Sequence, residues 1–217
     1  MAVTKHIFAS REEWLKGRKN HIGGSDASAC VGMNPYKDNV QLWEEKMGLV
    51  IPEDISDKDY VRYGTEAEKH LRALFAMDFP EYQVFYDEDN MFINDRYPWM
   101  HASLDGELVD EQGRRGILEI KTTNILQSMQ LEKWKGKIPD NYYCQVLHYL
   151  AVTEYDFAVL KAQLKSEWHG ELRITVKHYF IERKEVEEDI RYLVEAEQRF
   201  WACVVEGRRP NFALPVI

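Results

Sequence analysis

The sequence holds only three cysteines, Cys30, Cys144 and Cys203, far apart from one another. With no C-x-x-C pair among them, the spacing argues against a zinc site or a four-cysteine iron–sulfur cluster, and scattered thiols suit a reducing cytosol. No apolar run approaches the ~20 residues that span a bilayer, and residues 1–11 lack the apolar block of a secretory signal. There is no internal repeat, no low-complexity segment and no Pro/Gly/Ser-rich linker. The 217 residues therefore read as a single domain, 1–217. Positive charge is also short, the net charge being −9 at pH 7. That argues against a protein that coats nucleic acid broadly, because phosphate affinity is electrostatic. A nuclease whose positive charge is local remains allowed.

Apolar residues are plentiful: 45% of the chain is hydrophobic and 12% aromatic, enough for a sizeable core. The segment Gly116-Ile117-Leu118-Glu119-Ile120-Lys121-Thr122 follows a polar turn, residues 110–115, and reads as a buried strand. Side chains alternate along a strand, so Glu119 and Lys121 point one way and Leu118, Ile120 and Thr122 the other. Charges are rarely buried unless they are paired or bind a metal. A second carboxylate, Asp105, lies just upstream in Leu104-Asp105-Gly106. Asp105 with Glu119-x-Lys121 is the arrangement of a metal-dependent phosphodiesterase.

Helical patterns cover residues 11–19, with Trp14 and Leu15 inward, then a short helix from Ser25 or Asp26, and residues 40–47 and 61–78. In the fourth, Leu71, Leu74 and Phe75 form an apolar stripe and Glu68 lies on the inward side. Residues 82–86, 91–93, 99–103 and 107–109 read as strands that lead into the central one. Residues 124–135 read as helix or loop, 141–152 as a helix, 157–164 and 172–181 as strands, and 184–205 as a closing helix. This order predicts an α/β fold with a central mixed β-sheet flanked by helices. Ile22-Gly23-Gly24-Ser25 before a helix offers free backbone N–H groups to an anion, and Arg18 adds a guanidinium fork. Asp26 in that loop either caps the helix or opposes an anion. The run Lys133-Trp134-Lys135-Gly136-Lys137 reads equally as a solvated loop or as a basic patch with Trp134 stacking on a base. His21, His70, His101, His148, His169 and His178 show no paired metal spacing and read as structural, His101 lying nearest Asp105.

Several segments together resemble the PD-(D/E)xK nuclease superfamily, and within it the YqaJ-like viral recombinase and phage lambda exonuclease family. Residues 18–28 with Asn34-Pro35-Tyr36 and Leu42-Trp43 resemble its N-terminal signature. Tyr63-Gly64-Thr65-Glu66-Ala67-Glu68 resembles its acidic helix, and Asp105-Gly106 with Glu119-Ile120-Lys121 resembles its core motif. Gln145-Val146-Leu147-His148-Tyr149 matches a Q-x-x-x-Y motif. The similarity runs over roughly residues 10–200, and the motifs stand in the family's order.

The resemblance implies a restriction-endonuclease-like core and one or two Mg²⁺ ions, with Mn²⁺ a possible substitute. Asp105, Glu119, Glu68 and the Ile120 carbonyl would be the ligands. Lys121 would orient or deprotonate the attacking water, or stabilise phosphorane charge. Arg18, Ser25 and Gln145 would hold a 5′-terminal phosphate, with Tyr149 in support. It implies a 5′→3′ exodeoxyribonuclease on linear duplex DNA, leaving a 3′ single strand, in a homotrimeric ring. A single-strand annealing protein would be its partner, in the cytoplasm of a bacterial or phage-infected cell. The alternatives are an endonuclease or nickase of the same superfamily and a non-catalytic DNA-binding recombination factor.

Overall fold

A computed structural model describes residues 2–214, the Trp168 side chain excepted. The elements in chain order are β1 (Val3–Ile7), α1 (Arg11–Lys19), β2 (Ile22–Gly23), α2 (Gly24–Cys30), α3 (Asn39–Lys46) and α4 (Asp59–Asp78). Next come β3 (Gln83–Phe85), β4 (Asn90–Asn94), β5 (Met100–His101), β6 (Gly106–Val109), β7 (Arg115–Ile125) and α5 (Ser128–Glu132). The chain continues through α6 (Asp140–Thr153), β8 (Phe157–Trp168), β9 (Glu171–Glu182), a 3₁₀ turn (Arg183–Glu185) and α7 (Glu187–Val205).

The main sheet has the order β3-β6-β7-β8-β9. Its β7–β8 pair is parallel and its other pairs antiparallel, so the sheet is mixed. A parallel pair needs a crossover rather than a tight turn, and α5 and α6 supply it. Strand β7 is central and buried on both faces. Leu118 and Ile120 pack with Leu71 and Phe75 of α4, while Ile117 packs in the cluster of Val146, Leu147 and Leu150 of α6. Gly116 permits this register: a Cβ there would lie 2.2 Å from the Phe157 ring.

Four expectations are corrected. Residues 91–93 and 99–103 do not continue the main sheet. Strand β4 pairs antiparallel with β1, an unanticipated strand, and β5 pairs parallel with β2. Leu15 and Leu74 are exposed, because the buried stripes of their helices run through Trp14 and through Leu71 and Phe75. Trp134 is not a base-stacking platform: it is buried against Tyr142 and Tyr179, leaving Lys133, Lys135 and Lys137 exposed around it. Helix α2 does not start at Ser25 or Asp26: Gly23 is its N-cap and Gly24 its first residue, and the Asp26 carboxylate reaches back one turn, its Oδ2 accepting from the Gly23 N–H at 3.3 Å.

Candidate active site

Strand β7 fixes the centre of the site. Glu119 faces α6 and is 1% exposed, and the Lys121 ammonium lies 2.6 Å from its Oε1. Among the described residues, neither carboxylate oxygen of Glu119 has a hydrogen-bond donor besides that ammonium. Burial first, then the charge of Asp105, pushes the Glu119 carboxyl up to about 8 in spite of Lys121. Lys121 itself is held above the ordinary lysine range: burial would lower it, and Glu119 and Asp105 outweigh burial. As the chain stands, Lys121 is an ammonium.

Asp105 sits in the turn into β6. Its Oδ2 accepts a hydrogen bond from the Ile120 backbone N–H at 2.8 Å, which ties that turn to the middle of β7. Burial raises its carboxyl against the pull of Lys121, the Ile120 N–H and Arg72. The Ile120 side chain is buried under α4, so only its backbone can face the site. Glu68 comes from α4, half-buried, and is pushed up to about 7 by burial and by Asp105, against Arg72. The Arg72 guanidinium joins the two: it donates to the Glu68 carboxylate and to the Asp105 backbone carbonyl, and it stacks on the Tyr86 ring at 3.5 Å.

Among the described residues, no three carboxylate, imidazole or thiol groups converge as a ready-made metal cage. The donor chemistry nevertheless fits a hard divalent cation. Mg²⁺ takes oxygen ligands, keeps several waters and needs few carboxylates from the protein. A buried carboxylate with no donor beyond one ammonium, and with the charge of a second carboxylate acting on it, is a cost that a cation removes.

The phosphate candidates lie close by. Arg18, Glu68, Asp105 and Tyr149 line one cavity of about 210 Å³, together with Arg11, Trp14, Tyr86 and Ser103. Gln145 and Tyr149 sit one turn apart on α6, and the Gln145 amide donates to the Tyr149 hydroxyl at 2.9 Å. Strand β2 and helix α2 press against them: a Cβ on Gly24 would lie 2.4 Å from the Tyr149 ring and 2.9 Å from Gln145 Cγ. Ser25 follows at the exposed start of α2. The charge of Asp26 is answered by Lys46 at 2.8 Å. Burial would raise the Asp26 carboxyl, and Lys46 outweighs it and holds it low. Ser25, Gln145, Glu119 and Lys121 are outside the lining of this cavity and reach it through Tyr149, Asp105 and the α2 loop.

Of the histidines, His101 and His148 are buried. His148 Nδ1 lies 2.9 Å from Glu197 Oε1, and Nε2 lies 2.8 Å from the His101 carbonyl oxygen. Both nitrogens meet acceptors, which only an imidazolium can satisfy with two donors.

The sequence reading passed over Arg11, Arg72, Tyr86 and Ser103. Arg72 was legible as the i+4 partner of Glu68, and Arg11 as the helical neighbour of Trp14. Tyr86 carries no local signal, because its place depends on how α4 packs.

A mixed sheet carrying Asp105 and Glu119-x-Lys121 at its centre, with helices on both faces, is the PD-(D/E)xK nuclease fold. The profile of the YqaJ-like viral recombinase domain matches residues 13–156, and the chain belongs to that family. It is 32% identical to the YqaJ protein of Bacillus subtilis, covering 94% of this chain and 60% of that one. The chain thus spans under two thirds of that relative's length. Among solved structures, the alkaline exonuclease LHK-Exo of Laribacter hongkongensis superposes with a TM-score of 0.61 at 18% identity, over 90% of this chain and 95% of that one. A phage-related exonuclease of Haemophilus somnus gives 0.56 at 13% identity, over 86% and 96%. At these identities the two structures establish the fold.

Proposed function

We propose that the chain is a metal-dependent exodeoxyribonuclease that degrades one strand of linear duplex DNA from a 5′-phosphorylated end, leaving a 3′ single strand. The observation that carries this reading is the cavity whose lining brings Arg18 together with Asp105 and Glu68. A phosphate group needs the first, and its hydrolysis needs the second. Membership of the YqaJ-like family and the exonuclease names of both structural neighbours support the same reading.

When bound, Mg²⁺ or Mn²⁺ would activate the attacking water and neutralise charge on the scissile phosphate. Asp105 and Glu119 would hold the ion, with Glu68 and the Ile120 carbonyl as further ligands. Lys121, kept as an ammonium by Glu119 and Asp105, suits charge stabilisation or water orientation better than proton abstraction. Arg18, Ser25 and Gln145 would seat the terminal 5′-phosphate, and Tyr149 would brace Gln145. We extend the proposal to a homotrimer working with a single-strand annealing protein in the cytoplasm. Among the described residues no helix is long and apolar enough to cross a membrane.

Closed circular and linear duplexes incubated side by side, with Mg²⁺ and with EDTA, test the reading. Loss of the linear form alone, only with Mg²⁺ and abolished in Asp105→Asn, is expected. Cleavage of closed circles would favour an endonuclease. An inert wild-type protein that still binds DNA would favour a non-catalytic recombination factor.

A further inference from the structure

Helix α1 presents Arg11, Trp14 and Arg18 on one face, at helical spacings of three and four. The two guanidinium carbons lie 3.9 Å and 4.3 Å from the centroid of the Trp14 ring. The indole is itself fixed. It is buried, and its N–H lies 3.0 Å from the Asn90 carbonyl oxygen and 3.2 Å from Ser103 Oγ. Stacking on an aromatic face positions a guanidinium without consuming its in-plane N–H donors. Both forks therefore remain able to grip an oxyanion, and both line the cavity that contains Asp105 and Tyr149.

Arg11 lies two residues before the matched family segment, and no motif singled it out. Among the described residues its charged partner is Asp89, at a long 3.4 Å from Nη1. The Arg11 side chain is 65% exposed and that of Asp89 only 12%. Asp89 adopts a left-handed backbone conformation, φ 50°, in the turn before β4. An exposed cation thus rests against a largely buried carboxylate in the wall of the cavity.

We propose that Arg11 is a second phosphate-binding residue of the DNA-end pocket, with Asp89 as the resident counter-ion that an incoming phosphate displaces. This deepens the proposed exonuclease function and rests on it. The ligand chemistry is a phosphate oxyanion. Its source is either the 5′-terminal monoester or the next phosphodiester along the strand.

Fluorescence anisotropy in EDTA, with no turnover, tests it on the full chain using short blunt duplexes that end in 5′-phosphate or 5′-hydroxyl. Arg11→Ala is expected to weaken binding by about tenfold, and Arg11→Lys to restore part of the loss. Asp89→Asn, which tolerates the left-handed conformation, is expected to tighten binding. A loss confined to the 5′-phosphate duplex assigns Arg11 to the terminal monoester. An equal loss on both duplexes, with the salt slope reduced by about one, assigns it to the phosphodiester. Unchanged affinity in either Arg11→Ala or Asp89→Asn, with melting like wild type, overturns the proposal and leaves the nuclease reading standing. Failure of the wild type to bind either duplex overturns both.

Discussion

Glu119 and Glu68 carry carboxyls pushed up to about 8 and about 7, above the ~4.3 of a free glutamate. The folded protein thus binds these protons more tightly than the unfolded chain. Their contribution to stability is full below the unfolded pKa and is lost as pH rises through 7 and 8. The metal-free protein is therefore expected to melt at progressively lower temperature from about pH 5 to about pH 8, the fall levelling off above that. Added Mg²⁺ should cancel that fall, because a bound cation replaces the protons; thermal scans over a pH series with and without Mg²⁺ would reveal it. Arg72 acts one step further out: it holds Glu68 and the Asp105 backbone and is not among the residues that line the cavity. Arg72→Gln should weaken Mg²⁺ affinity by about 10–100-fold, read by titration calorimetry, while melting in EDTA changes little. At this scale the acidic residues and Lys121 were legible, because a strand's alternation places Glu119 beside Lys121 whatever the fold. The depth at which Glu119 is buried, and the rise in its pKa that follows, were not, since they depend on how α6 and the Asp105 turn close over the strand.

Helix α6 joins Gln145 and Tyr149 of the candidate site to the rest of the molecule. Its Gln145 and Tyr149 face the Gly23-Gly24 loop, while His148, 0% exposed, is bound to Glu197 of α7, also 0% exposed. Burial would lower the His148 pKa, but the charge and hydrogen bonds of Glu197 and the His101 carbonyl outweigh it and raise it above 6.5. A raised histidine pKa stabilises the fold fully below the unfolded value and ceases to do so as pH rises through the folded value. A second, Mg²⁺-insensitive loss of stability is thus expected on the alkaline side, absent from His148→Gln. Glu197→Ala, which strands a buried imidazolium, should cost about 3–5 kcal/mol in urea unfolding. Most elements were legible because their apolar spacing is local: β7 by its Ile/Leu run, α4 by Leu71 and Phe75, α7 by Ile190, Leu193 and Phe200. Strand β1 and the pairings of β4 and β5 were not. Strand β1 is largely exposed and lacks an apolar signal, and its partner β4 lies more than eighty residues away.

At the scale of the whole chain, the net charge of −9 coexists with a cavity that gathers two arginines, Arg11 and Arg18, with three carboxylates, Glu68, Asp89 and Asp105. Bulk charge says little about a site built from a few residues, which is why composition argued against broad coating and no more. The fold class followed from the order of helices and strands, and its mixed sheet is the one observed. The long-range closure of that fold is what brings Asp105, Glu119 and Glu68 within electrostatic reach, and the account stands on a divalent cation bound among them. Crystals grown with Mn²⁺ and measured for anomalous scattering give the most direct answer. The account predicts a peak about 2.0–2.2 Å from carboxylate oxygens of Asp105 and Glu119, lost in Asp105→Asn. Strong Mn²⁺ peaks elsewhere, with Glu119 still paired to Lys121 and no density between the two carboxylates, would contradict it.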